Sequence, residues 1–313
     1  MNKYIIAIDL GGTNLKVGLL DLNNKIRRYS VFDTRKYPGK SGLIRAIKTV
    51  VEEIIKEQRL HKRDILGLGI GVPGPVDSLK GIVHFFPNIP GWKEVKLANI
   101  LKKELRLPVF LDNDAKMMAR AEYALGSGRG YRNILCITLG TGVGGGIIIN
   151  GELYRGLDNA AGEFGHLPIN EDGPHCNCGG RACLEAYVGN SRIMKKAEKL
   201  FKRRISLEEL SLRARKNDRL ALSIWKDVGK KLGVALTAVV NTLNLDAIVI
   251  GGGVAQAGNV LFDPIRETIR QRAMRVQAKR VKILRAKLVK DAGLIGAALM
   301  VKEELGDYKR IRK

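Results

Sequence analysis

Residues 163–166 and 176–185 together gather three of the chain's four cysteines beside a histidine and two carboxylates: Glu163, His166, Cys176, Cys178, Cys183 and Glu185. Three thiolates and one imidazole are the donor set of a tetrahedral structural zinc site. His166 is one candidate for the nitrogen ligand, and His175, next to Cys176, is a second. Glu163 and Glu185 are left over for other chemistry. A disulfide reading is weaker, because Met1-Asn2-Lys3 leads into an apolar run that Asp9 soon interrupts, unlike a secretory leader. A reducing, cytoplasmic setting keeps the thiols free. Cys136, inside the apolar run Ile134-Leu135-Cys136-Ile137, reads as core.

Two glycine turns are the next candidates. Gly11-Gly12-Thr13 follows one apolar strand pattern and Gly140-Thr141-Gly142 follows another. Gly140, Gly142 and Gly145 formally match the spacing of a dinucleotide fingerprint, but that motif must open a helix, and Ile147-Ile148-Ile149 continues as a strand. There is also no Walker pattern, with its leading glycine, ending in Gly-Lys-Ser or Gly-Lys-Thr. What remains is a pair of hairpin turns whose backbone N–H groups could face a polyphosphate, or that are simply tight turns. Gly251-Gly252-Gly253 ends a further strand pattern, where glycine admits a flat ring close to the backbone or satisfies a packing constraint. Asp114, between a strand and a helix pattern, is either an N-cap or a reactive carboxylate.

The elements that must position these groups alternate between strand and helix periodicity, the mark of an α/β protein. Strands are predicted over residues 4–10, 16–22, 25–34, 65–71, 109–112, 134–139, 145–150 and 247–250. Ile47, Val50, Val51, Ile54 and Ile55 mark an amphipathic helix, and another follows Asp114. The strand, glycine turn, strand plan of the N-terminus recurs from Asn133, which reads as an internal duplication. A chain of 313 residues with 45% hydrophobic content holds two domains of ordinary size.

The formal net charge of +24 points to polyanions. Nucleotide triphosphate satisfies that as well as nucleic acid does, and much of the charge lies at solvated helix spacings. Aromatics at 5% without basic interleaving exclude a single-strand stacking platform. The apolar stretches are broken by Gly, Thr, Asn or Asp, which excludes a membrane-spanning helix.

Taken in order, Asp9-Leu10-Gly11-Gly12-Thr13-Asn14, Gly71-Val72-Pro73-Gly74-Pro75-Val76-Asp77, Pro87-Asn88-Ile89-Pro90-Gly91-Trp92, Asn113-Asp114-Ala115, Leu139-Gly140-Thr141-Gly142, Glu163-Phe164-Gly165-His166 and the cysteine cluster resemble the ROK family of sugar kinases and repressors. Asn88 to Trp92 and the cysteine loop look most like its ATP-dependent glucokinases. The resemblance implies an actin-like, hexokinase-like ATPase fold with a ribonuclease H-like duplication: two α/β domains with an interdomain cleft. Residues 1–120 would form the first domain, completed by a C-terminal helix at about 293–306, and residues 121–292 the second, with a zinc loop at 163–185.

By the same resemblance Asp114 takes the proton from the glucose 6-hydroxyl as it attacks the γ-phosphate of ATP. Gly74, Asn88, Asn113, Glu163, His166 and Glu185 match sugar-binding positions. Gly11, Gly12, Thr13, Gly140, Thr141 and Gly142 match the phosphate turns, Gly252 and Gly253 the adenosine side, and Asp9 a position near Mg²⁺. Zn²⁺ would sit on His166, Cys176, Cys178 and Cys183, and a homodimer is implied. The chain departs from the family at Lys116, usually Asn, and at Ala182, usually Gly, where the turn calls for positive φ. Rival readings are a kinase for N-acetylglucosamine, N-acetylmannosamine or fructose, and a polyphosphate-dependent glucokinase. A DNA-binding repressor is a poorer fit, because only eight residues precede Asp9 and a winged helix would need more. Neither specific nucleic acid nor membrane is expected as a partner.

Overall fold

A computed structural model describes residues 3–86 and 91–306. The chain forms two compact units. The first takes its described residues from the stretches up to Ala121, Arg155–Ala161 and from Lys290 onward; the second comprises Glu122–Tyr154 and Gly162–Val289.

In the first unit, strands β1 (Tyr4–Leu10), β2 (Asn14–Asp21) and β3 (Ile26–Asp33) form a meander. Helix α1 (Gly39–Glu57) follows, then β4 (Ile65–Val72) and the short strands β5 (Val76–Asp77), β6 (Ile82–Phe85) and β7 (Lys93–Val95). Helix α2 (Leu97–Leu105), β8 (Val109–Asn113) and α3 (Asp114–Leu125) complete the run. The main sheet has the order β3-β2-β1-β4-β8; β1 pairs antiparallel with β2 and parallel with β4, and β4 runs parallel to β8. Ile6, Ile8 and Leu10 of β1 pack with Leu43, Ile47 and Val51 of α1, so the periodicity read from the sequence marks the buried face.

The second unit begins within α3 and continues with β9 (Ile134–Leu139), β10 (Val143–Ile149), β11 (Glu152–Tyr154), α4 (Glu185–Val188), α5 (Asn190–Phe201), α6 (Leu207–Arg215) and α7 (Arg219–Leu243). Strand β12 (Ala247–Gly251), α8 (Asn259–Arg272), α9 (Arg275–Arg280) and β13 (Lys282–Arg285) follow. Its sheet order is β11-β10-β9-β12-β13, with the same succession of antiparallel and parallel pairs from β9 as the first sheet has from β1. The duplication therefore extends from the two hairpins to whole sheets. A separate core, centred on the fully buried Trp225 of α7, fills this unit.

Helix α10 (Ala292–Glu304) belongs to the first unit. It lies against the glycine face of β4, where Gly67 and Gly69 alternate with buried Leu68 and Ile70. A Cβ at Gly69 would come within 2.3 Å of the Ala297 carbonyl oxygen. Buried on nearly every side, α10 is apolar all round rather than amphipathic. Among the described residues no helix is long and apolar enough to cross a membrane.

Residues 155–161 group with the first unit, although the sequence reading placed them in the second. Asn159 explains this: its side-chain amide donates to the Val76 carbonyl at 3.0 Å and to Asp112 at 3.1 Å, and its own carbonyl accepts from Lys116. The buried Glu122, first residue of the second unit, is satisfied by the backbone N–H groups of Ser127, Lys287 and Leu288.

Candidate functional site

Strand β8 ends and α3 begins at the Asn113-Asp114 pair. The Asn113 side-chain oxygen accepts the N–H groups of Ala115 at 2.9 Å and Lys116 at 3.3 Å, and its amide donates to the Gly74 carbonyl at 3.1 Å. Asn113 thus caps the helix and fastens the β4–β5 loop, where Gly74 has φ +87°. Asp114 is the first residue of the helix, half-buried, with a carboxylate oxygen 2.8 Å from the Ala115 nitrogen. The N-cap alternative raised for Asp114 falls to its neighbour.

Behind this pair lie polar groups the sequence reading passed over. Asp112 is fully buried, accepts from its neighbour Asn113 N–H and from Asn159, and faces the buried Arg120 at 3.7 Å; Arg120 also pairs with Glu303 of α10. The signal was available, since Asp112 interrupts the apolar run from Val109 to Leu111. Lys116, noted only as a departure, is a buried lysine that holds Asn159.

Each of the two glycine turns is closed by a backbone hydrogen bond. Gly11 N–H closes the first turn on the Asn14 carbonyl at 2.8 Å, and Gly140 N–H closes the second on that of Gly142 at 2.9 Å. Gly12 and Thr13 in one turn, and Thr141 and Gly142 in the other, keep N–H groups with no partner among the described residues. Asp9, just ahead of the first turn, pairs with Lys16 at 2.8 Å. Burial pulls the Lys16 ammonium down, but the Asp9 carboxylate overcomes this and its pKa ends above the ordinary value. Lys16 was absent from the sequence reading.

In the second unit the loop at 162–166 lies directly on β10. A Cβ at Gly145 would meet the Gly162 carbonyl at 2.5 Å, and one at Gly165 the Val143 carbonyl at 2.1 Å, so this glycine run is needed for close approach. Glu163 and His166 flank a single helical turn, with His166 Nε2 3.8 Å from the Glu163 carboxylate. Glu185 opens α4, and its carboxylate accepts the Val143 N–H at 2.8 Å. Gly252 has φ +88° and leaves no room for a Cβ beside Leu139, whereas Gly253 faces open space. Packing therefore accounts for Gly252, and Gly253 is the one of the two with open space beside it. Asn88 lies outside the described residues.

The imidazole of His166 and the thiols of Cys176, Cys178 and Cys183 place their ligand atoms within 4.8 Å of one another. Cys178 Sγ is 3.7 Å from Cys183 Sγ, and Cys176 Sγ is 3.7 Å from His166 Nδ1. Zn–S bonds of about 2.3 Å in a tetrahedron require sulfur–sulfur edges of about 3.8 Å, so the donor set fits zinc in kind and spacing. His175 is exposed and outside the four. Burial, together with the Cys178 and Cys176 sulfurs, pushes the Cys183 thiol up to about 12, while the Gly180 N–H draws Cys178 below its ordinary value. Ala182 occupies the left-handed region at φ +55°, as the turn demands. Cys136 is fully buried in β9, its thiol raised by desolvation.

The sequence profile of the ROK family matches residues 5–304. A glucokinase from Thermotoga maritima is 35% identical, over 96% of this chain and 98% of its own length. A ROK family glucokinase from Streptomyces griseus, solved in complex with glucose and AMPPNP, superposes with a TM-score of 0.83 at 31% identity, covering 96% of this chain and 99% of that one. A ROK family transcriptional regulator, a homologue of the E. coli MLC protein, gives a TM-score of 0.88 at 27% identity, over 96% of this chain and 78% of that one. The fold is that of the actin-like ATPases, as expected.

Proposed function

This chain belongs to the ROK family, and from that premise we propose that it is a glucokinase, transferring the γ-phosphate of ATP to the 6-hydroxyl of glucose. The observation that carries the reading is the Asn113-Asp114 pair: Asn113 caps the helix and holds Gly74, and the half-buried aspartate beside it at the strand end is the base. Phosphoryl transfer has a loose transition state, so aiming the acceptor oxygen matters more than a strong base, and an aspartate suffices. As the 6-hydroxyl attacks, Asp114 accepts its proton.

In the first unit Gly74 and Asn113 hold sugar hydroxyls beside Asp114, with Asn88 assigned there by the motif alone. In the second, Glu163, His166 and Glu185 do so; carboxylates and imidazole suit a polyol because their hydrogen bonds have fixed directions. The N–H groups of Gly12, Thr13, Thr141 and Gly142 receive phosphate oxygens, with Gly11 and Gly140 closing the turns, and Gly252 and Gly253 border the adenosine.

Asp9 fits a magnesium role, because only one of its carboxylate oxygens is engaged by Lys16. Mg²⁺ would neutralise charge on the transferred phosphate. His166, Cys176, Cys178 and Cys183 would hold Zn²⁺ as a brace for the sugar loop, His166 turning Nδ1 to the thiols and Nε2 towards Glu163. We expect a cytoplasmic homodimer.

A coupled ADP-release assay across glucose, fructose and the N-acetylhexosamines, with ATP and with polyphosphate, tests the reading. Glucose with ATP should give the highest kcat/KM. Turnover confined to another hexose or to polyphosphate would replace it, and no turnover with any pair would end the kinase assignment.

A further inference from the structure

Glu185 stands two residues after Cys183 and one turn of structure from the second glycine turn. Its Oε2 accepts the Val143 N–H at 2.8 Å, directly after Gly142. A Cβ on Gly142 would lie 2.5 Å from the same oxygen, so the carboxylate is pressed against the turn. The contact is reinforced from the following residues: Asn190 N–H donates to the Gly140 carbonyl at 2.9 Å, and a Cβ on Gly189 would stand 3.0 Å from the Thr141 carbonyl. On the other side, Leu184 N–H is anchored to the Leu167 carbonyl at 2.9 Å, tying this stretch to the residue after His166. Every residue in this chain of contacts lies in the second unit.

We propose that Glu185 is a positioning residue for the nucleotide-binding turn at 140–142, and that through Cys183 it makes the shape of that turn depend on the cysteine loop. The proposal rests on the reading of that turn as a phosphate site. By taking the Val143 N–H, Glu185 fixes the peptide that follows Gly142 and so sets the direction of the Thr141 and Gly142 N–H groups, which have no partner among the described residues. A carboxylate here has a second oxygen for sugar, so one side chain serves both substrates. The cysteine loop, which the sequence ties only to sugar binding, thereby acts on the phosphate donor as well.

Calorimetry with a non-hydrolysable ATP analogue and hydrogen exchange at the Val143 amide, on the zinc-loaded full chain, test this without turnover. Glu185→Ala should weaken the analogue about tenfold and speed Val143 exchange. Glu185→Gln keeps a carbonyl oxygen for that N–H, so both readouts should stay within about twofold of the parent, while KM for glucose rises. Chelating the metal from the parent should also speed Val143 exchange and weaken the analogue, a check that stands if the Ala variant does not fold. A parent that binds the analogue and an Ala variant that binds it equally well overturn the proposal alone; unchanged Val143 exchange after chelation overturns its metal arm. A parent that binds no analogue overturns the phosphate reading of the turn, and the proposal with it.

Discussion

The amide of Asn113 holds the Gly74 carbonyl at 3.1 Å while its oxygen caps the helix that Asp114 begins. One side chain therefore fixes both the loop at Gly74 and the backbone under the candidate base, and the cap falls on Asn113 rather than on Asp114.

Asp114→Asn accordingly removes the proposed base and leaves the cap in place. Turnover should fall by about 10²–10⁴-fold, the usual worth of a positioned base, with KM for glucose changed far less than kcat. The melting temperature should stay within about 1 °C, since a shift of that size is under about 1 kcal/mol for a chain this long. Turnover near the parental rate in a folded variant would remove Asp114 from the mechanism.

Asn113→Ala has the opposite signature. It strips the cap from α3 and the clasp from Gly74, so stability should drop by about 1–2 kcal/mol in urea unfolding. Asn113→Asp restores the acceptor for Ala115 and Lys116 but not the donor to Gly74. It should recover most of the stability and little of the glucose affinity; full recovery of both would show that the Gly74 contact is idle.

Metal analysis of the purified chain should find about one zinc per chain. Cys183→Ser should lose it, because a hydroxyl does not replace a thiolate in a soft tetrahedral set, whereas His175→Ala should keep it. A fully active, metal-free parent would sink the role given to His166, Cys176, Cys178 and Cys183.

What could be read before folding was mostly what local chemistry dictates. The clustering of His166, Cys176, Cys178 and Cys183 was legible because those residue types crowd into one short segment, and the hairpins because glycine turns between apolar runs leave few alternatives. Lys16, Asn159 and Arg120 escaped because their partners are set by tertiary packing: Lys16 meets Asp9 across paired strands, and Asn159 reaches back 47 residues to Asp112. The same limit misplaced residues 155–161, whose unit is decided by side-chain bonds that no periodicity encodes. Ala182 is the converse case, since a departure from glycine in the motif identified a left-handed residue in advance.

That residue gives a stability prediction. An alanine at φ +55° costs about 1–2 kcal/mol over glycine, partly offset by the entropy glycine loses and by its buried methyl. Ala182→Gly should therefore stabilise the zinc-loaded chain by about 0.5–1 kcal/mol, read as a higher urea midpoint. A lower midpoint would mean that the methyl's packing outweighs the backbone strain.

Asp227 of α7 governs part of the acid limb. Burial raises its carboxyl, but hydrogen bonds from Lys196 at 2.7 Å and from Lys231 outweigh that, and its pKa lies below the ordinary value. A carboxyl lowered by folding binds fewer protons in the native state than in the unfolded one. Its stabilisation is complete above the unfolded value, about 3.9, and disappears as pH falls through the folded value. Asp227→Asn should lower the urea midpoint at pH 7 and make no difference once both forms of the parent are protonated, so the two stability curves should converge as pH falls through the lowered folded value. Curves that stay parallel from pH 7 until the parent's carboxyl is protonated in both states would show that Asp227 contributes packing rather than charge.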